Sequence, residues 1–444
     1  MLLESQSDED LVPKYSFSHS DRARPHHYST GPLMRFSTST CRIYIGWSLA
    51  LSSVASPYWT TSKKRGSSIM MKLKILGIWS SLLYNMFAVG VLLPGTGGSS
   101  CLCTFGNVSV PVDAEIAVDP NEGLIATKLR RLNKEFSIFG QFCQPPRESF
   151  EDPDRVQLLL HGSTYTHQYW TFPMNGFQNY SYAAFACSQG QATFAYDQLG
   201  VGLSDRPTDS SEIQLPVVAQ IASSLAKKLK DGTISTIFGF GDKQRFNKVI
   251  GIAHSQGSVI YNFLAINQPT TSGFDGLILT GHIHDLGFLA TTNETKPLAR
   301  DVDPVRWGNL DPGYISSPNR SGFYAPDLST FSQSVFMLDT LTLDVSVIWA
   351  TREIPSVYVP AKGFKGPVVE MVGSMDQLHC LNLEDNEVPC NDDEVGLKKM
   401  EQGFWPDSRN FTLIVRNGSG HDLNLDFGAG ETFRIYSTLA RTMV

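Results

Sequence analysis

The chain has 444 residues, enough for one large domain or two medium ones. Hydrophobic residues at 41% and charged residues at 18% exclude a disordered or coiled-coil protein, and a net charge of −7 speaks against a nucleic-acid binder. The charge is uneven: the first 74 residues carry 10 basic and 5 acidic side chains, the remainder 26 and 38.

Residues 1–69 are rich in Ser and Thr and keep no period of 2 or 3.6, so they read as a disordered leader or a misassigned start of translation. Residues 70–100 are more specific. A short basic region around Lys72 and Lys74 precedes the uncharged run Ile75 to Leu93, and small, turn-forming residues follow to Ser100. This is the layout of a secretory signal peptide if translation begins near Met70 or Met71. If it begins at Met1, the same run is long enough for a single N-terminal membrane anchor, and the basic residues before it keep the leader cytosolic. Either way the rest of the chain is expected to be secreted or luminal. Asn-x-Ser/Thr sequons at Asn107, Asn179, Asn293, Asn319, Asn410 and Asn417 fit that compartment. So do six cysteines beyond the leader, Cys101, Cys103, Cys143, Cys187, Cys380 and Cys390, an even number able to form up to three disulfides. Cys380 with Cys390, flanking a polar loop, is the first pairing expected.

From about residue 101 short apolar runs alternate with helical patterns, which predicts an α/β fold with a mostly parallel central sheet flanked by helices. Val108 to Val118 and Phe136 to Phe142 open it. Val156 to Leu160 is a buried strand ending in His161-Gly162, and Ala192 to Ala195 another ending in Tyr196-Asp197. Leu215 to Leu229 is a helix, with Pro216 in its first turn and Gly232 beyond its end. Val249 to Ala253 is a strongly apolar strand, followed by a helix through about Asn267 and a strand at Leu277 to Leu279. Residues 281–363, rich in Asp, Asn, Pro and aromatics, break the alternation and read as an inserted cap with a helix from Phe331 to Ile348. It divides a core of residues 101–280 and 364–444. Strands at Val368 to Val372 and Phe411 to Val415 and a helix from about Thr432 complete the core.

The chemistry gathers at strand ends. Gly251-Ile-Ala-His-Ser-Gln-Gly257 is a strand, a tight turn and a helix, with Ser255 at the turn and the small residues Ala253 and Gly257 two positions to either side. Such a turn strains the serine and aims the helix N-terminus at it, so the Gln256 N–H is placed to donate to a developing oxyanion. A serine hydroxyl needs a base and a group that orients that base. Asp376 follows the Val368 strand, and His421 lies in a Gly-rich loop after the Phe411 strand, which gives the order Ser, acid, His. Asp285, after the Leu277 strand, is a rival acid. Gly162 and Ser163, with Thr164, are candidates for the second oxyanion donor.

Other polar residues read as structural. His161 and His254 support the turns, Asp197, Gly200 and Gly202 hold a loop, and Asp422 points away from the site as a solvated or structural side chain. His282 and His284 form a metal-like pair without a third clustered ligand. The aromatics Trp307, Tyr314, Phe323, Tyr324, Phe331 and Phe336 line an apolar pocket or form the core of the cap.

With His161-Gly162, Asp197-Gln-Leu-Gly-Val-Gly-Leu-Ser204, the Ser255 turn, Asp376 and His421 in place, residues 130–444 resemble the cap-bearing α/β-hydrolase-fold serine hydrolases. Fungal secreted members look similar. Ala253 departs from the glycine more usual there, and Ser at the turn disfavours an Asp-nucleophile mechanism. The resemblance implies cleavage of a hydrophobic ester or lactone through Ser255, His421 and Asp376, with no metal or organic cofactor and a small hydrophobic substrate as partner. The alternatives it leaves are epoxide hydration or cyclisation in secondary (polyketide) metabolism, and a silent ligand-binding protein of the same fold. Oligomeric state cannot be read from the sequence.

Overall fold

The structure, a computed structural model, describes residues 90–93, 101–172, 177–240, 244–284, 296–349, 353–380, 390 and 394–444. The leader 1–69, the remainder of the 70–100 segment, Asp285 and Asn293 lie outside the described residues.

In chain order the strands are β1 (Gly90–Leu93), β2 (Cys101–Ala117), β3 (Leu129–Gln144), β4 (Arg155–Leu160), β5 (Ala192–Tyr196), β6 (Lys248–His254) and β7 (Gly276–Thr280), then β8 (Tyr314–Ile315), β9 (Ser346–Val347), β10 (Val368–Gly373) and β11 (Phe411–Arg416). β8 and β9 pair with each other; the rest form one sheet in the order β1-β2-β3-β5-β4-β6-β7-β10-β11. From β5 to β11 every pairing in this sheet is parallel, while β1, β2 and β3 run antiparallel to their neighbours.

The central parallel strands β4, β6, β7 and β10 are buried on both faces, which is why they read as continuous apolar runs. Successive side chains serve opposite layers. Leu158, Leu160, Val249, Leu277 and Val368 join the core beneath helices Leu215–Lys230 and Gln256–Asn267. Leu159, Ile250, Ile278 and Val369 join the opposite core, with Trp170, Tyr182, Phe433 and Tyr436. In β2 the alternation is half polar: Val108, Val110 and Val112 are buried, and Ser109, Pro111 and Asp113 between them are exposed. The opening strands are longer than the apolar pattern marks because this antiparallel pair continues in register through polar residues as far as Ala117 opposite Leu129.

Three disulfides form. Cys103 and Cys143 are directly opposed in the β2–β3 register and are bonded, Cys101 bonds Cys187, and Cys380 bonds Cys390 as the sequence suggests. Of the described sequon asparagines, Asn179, Asn319, Asn410 and Asn417 are exposed, and Asn107 on β2 is half-buried. No helix among the described residues is long and apolar enough to cross a membrane.

Between β7 and β10 the chain leaves the sheet for short helices and the β8–β9 pair. The helix expected from Phe331 to Ile348 spans only Gln333–Leu341. Asp344 ends the pattern: its carboxylate accepts from its own neighbour Val345 N at 2.7 Å and pairs with Arg206 at 3.1 Å, competing with helical bonding, and β9 follows.

Candidate active site

Ser255 stands between β6 and the helix Gln256–Asn267 with φ 52° and ψ −120°, a region that L-residues rarely occupy. Its surroundings hold it there. Ser255 N donates to Thr280 O at 2.8 Å, and Ser258 Oγ donates to both Ala253 O and Thr280 O at 3.0 Å, tying the turn to the end of β7. Gly257 is needed for the close approach of helix and strand: a Cβ there would lie 2.6 Å from His161 O. Buried residues flank Ser255, which is itself half-exposed.

Asp376 and His421 come together. Asp376 sits in the turn after β10, its Oδ1 accepting from Leu378 N at 2.8 Å, and His421 Nδ1–H donates to Asp376 Oδ2 at 2.8 Å. That bond places the imidazole proton on Nδ1 and leaves the Nε2 lone pair free of it; Nε2 is buried and has no hydrogen-bond partner among the described residues, Ser255 Oγ included. Burial pushes the Asp376 carboxyl up, but the charge and hydrogen bond of His421 outweigh it and bring it to about 2. For His421, burial favours the neutral ring, and the charge and hydrogen bond of Asp376 outweigh this and raise its pKa above the ordinary value.

The loop after β4 meets the turn. A Cβ on Gly162 would lie 2.9 Å from Ser255 Cβ, so this backbone runs directly against the serine. His161 supports it, accepting from Gln198 N at 3.1 Å through Nε2 and donating through Nδ1 to Gly162 O at 2.8 Å. Asp197 accepts from Leu203 N at 2.9 Å, and from both the backbone N and Nδ1 of His167 at 2.7 Å. His167, missed at the sequence level, carries no local pattern that would mark it.

Asp422 is not solvated. It is buried, accepts from Tyr165 OH and pairs with His254 Nε2 at 3.2 Å, because Leu423 and Leu425 beside it pack into the core and carry the carboxyl inward. His254 stacks on Tyr169 at 4.4 Å between ring centres and lies 4.8 Å from the His421 ring. Among the aromatics of the insertion, Tyr324, Phe331 and Phe336 pack on one another with ring centres 4.5 to 5.7 Å apart, forming core. Phe323 instead lies 5.7 Å from His421. Trp307 lines a cavity of about 480 Å³ whose other walls include Leu203 as well as His167, Arg206, Arg306 and Asp344, so polar and apolar groups share its lining.

His284 finds the acidic neighbours that the sequence could not supply. Its Nδ1–H donates to Glu401 Oε2 at 2.6 Å, Glu370 lies 3.7 Å away, and Trp405 Nε1–H donates to Glu370 at 2.8 Å. Burial and the charge of Glu401 push the Glu370 carboxyl well up, and hydrogen bonds join the members of the cluster to one another. These donor types could hold a metal ion, as could Asp376, His379 and His421.

A sequence profile described as the alpha/beta hydrolase family matches residues 157–433, more than half of the chain and the whole stretch from β4 to the last helix. No curated protein matches significantly. Among solved structures, a soluble variant of monoglyceride lipase from Saccharomyces cerevisiae is 14% identical with a TM-score of 0.47, covering 70% of this chain and 92% of its own. A lipase in an open form is 17% identical with a TM-score of 0.43, covering 75% and 99%. An esterase from Exiguobacterium antarcticum is 13% identical with a TM-score of 0.41, covering 80% and 100%. Likenesses this distant say nothing about substrate. The profile match, which covers the strands and loops that carry Ser255, Asp376 and His421, makes this chain a member of the alpha/beta hydrolase family.

Proposed function

We propose that the protein is a secreted or luminal serine hydrolase that cleaves a carboxylic ester or lactone with an apolar portion. The observation that carries the reading is the strained Ser255 turn on the same sheet as a buried His421 whose Nδ1–H is already bonded to Asp376. His421 Nε2 takes the Ser255 proton as Oγ attacks the acyl carbon, and Asp376 stabilises the imidazolium that results. The oxyanion is received by the Gln256 N–H at the helix N-terminus and by N–H groups of the Gly162–Thr164 loop. His421 then protonates the leaving alcohol, and water resolves the acyl-enzyme. Phe323 beside His421 supports an apolar substrate portion, and the three disulfides and exposed sequons support an oxidising, secretory compartment.

The test is turnover of p-nitrophenyl esters from short to long acyl chains by the protein expressed from Met71 in a secretory host, beside Ser255→Ala. The expected result is turnover in the wild type that falls by about 10⁴-fold or more in the variant. A folded wild type with no turnover across the panel would contradict the general esterase reading.

A further inference from the structure

Ser255 and Thr164 are the two non-glycine residues with positive φ among the described residues, at 52° and 64°. A β-branched residue in that region is strained and persists only where its surroundings dictate it. For Thr164 the surroundings come from far away in the chain. Arg320, in the insertion between β7 and β10, is 1% exposed. Its Nη1 donates to Thr164 Oγ1 at 2.8 Å and its Nη2 to Thr164 O at 3.0 Å, so two arms of one guanidinium close on one residue. Thr164 O also accepts from Asp344 N at 3.1 Å, and Thr164 Oγ1 donates to Ser163 O at 2.6 Å.

A buried arginine is costly unless its charge and donors are met. Here Asp339 lies 3.6 Å from Nη2, and the guanidinium lies over the Tyr165 ring at 4.2 Å. Tyr324 OH donates to the same Asp339 at 3.1 Å, and the Tyr165 oxygen, whose proton goes to Asp422, lies 3.3 Å from it. Arg320 is therefore fixed on several sides, and what it fixes in turn is the backbone that runs from Gly162, against Ser255, through Ser163 to Thr164. The direction of the N–H groups in this loop follows from the dihedral angles that Arg320 holds.

We propose that Arg320 is a positioning residue for the oxyanion hole: it clamps Thr164 in its strained conformation and so aims the loop N–H groups at the oxyanion formed on attack by Ser255. This rests on the serine-hydrolase reading above. It makes the insertion part of the machinery that stabilises the transition state, in addition to any role in covering the substrate.

The test is Arg320→Lys, which keeps the charge but cannot span both acceptors of Thr164. Wild type and variant are compared by kcat and KM on the best p-nitrophenyl ester, by affinity for a trifluoromethyl ketone that forms an oxyanion adduct, and by thermal denaturation. The expected result is a kcat lower by about 10- to 100-fold, below the loss from deleting an oxyanion donor outright. KM should change by less than about threefold, and ketone affinity should fall in step with kcat/KM, because the interaction acts on the transition state. If Arg320→Lys does not fold, Thr164→Val, which removes the Oγ acceptor and keeps the branched Cβ, should give the same pattern at smaller amplitude. Unchanged kcat and ketone affinity in a folded variant, or a KM rise with kcat intact, would overturn the proposal. A wild type that neither turns over esters nor reacts with a fluorophosphonate would instead remove the serine-hydrolase reading, and this proposal with it.

Discussion

The two strained turns beside each other are built in opposite ways. The Ser255 turn is held by its neighbours in the sheet: β6 leads into it, the helix leads away, and Thr280 and Ser258 on adjoining elements bond its backbone. The Thr164 turn is held largely from the insertion, by the Arg320 guanidinium across 156 residues of sequence and by Asp344 N. The first kind of strain is written where it occurs, in small residues packed around a serine. The second is written in two places that have no pattern in common. A site assembled from both inherits the rigidity of the sheet on one side and depends on a distant insertion on the other.

The sheet-built side should fail most sharply. Asp376→Asn leaves the shape but loses the acceptor charge that fixes the His421 tautomer, so kcat should fall by about 10⁴-fold with little change in thermal stability. A loss below tenfold would break the assignment of this carboxyl. Gly257→Val tests the packing of the turn itself. Its Cβ would meet His161 O at 2.6 Å, and overpacking of this kind costs about 1 to 3 kcal/mol, with activity lost as the serine shifts. A variant that melts like the wild type and stays active would show that the close approach is not needed.

Further from the site, replacing Cys103 and Cys143 with Ser should cost about 2 to 4 kcal/mol in thermal or denaturant unfolding while leaving KM unchanged, since the bond joins β2 to β3. A change in KM would place these strands closer to the substrate than their position suggests.

The mildest expectation concerns pH. Only neutral His421 can accept the Ser255 proton, and its pKa is raised by Asp376, so kcat/KM should rise with pH through an inflection above the ordinary imidazole value of 6.5. For folding stability the signs differ between the partners. The raised His421 contributes stability that is full below 6.5 and lost as pH climbs through its folded value. The depressed Asp376 contributes stability that is full above its ordinary 3.8 and lost as pH falls toward 2. An activity inflection below 6.5 would contradict the pairing.

These differences also explain what could be read in advance. Val249 to Ala253 followed by His254-Ser255-Gln256-Gly257 is a strand, a turn and a helix in one short stretch, so local chemistry specifies the serine turn. Asp376 and His421 were legible because each follows an apolar strand, and a parallel sheet gathers such ends on one side. Arg320, Asp339 and His167 were not legible. Arg320 and His167 are isolated polar residues in segments without hydrophobic period, Asp339 is one polar residue on a short helix, and the role of each appears only once remote parts of the chain are brought beside it. For Asp422 the sequence leaves open a solvated or a structural side chain, and the choice is made by burial of Leu423 and Leu425, which carries the carboxyl inward toward His254 and Tyr165.

The most direct test of the central claim is to treat the folded wild-type protein with a fluorophosphonate and locate the adduct by peptide mass spectrometry. A single phosphonylated residue at Ser255, formed far more slowly in Asp376→Asn, is the predicted result. A folded protein that stays unmodified, or carries its adduct on another residue, would contradict it.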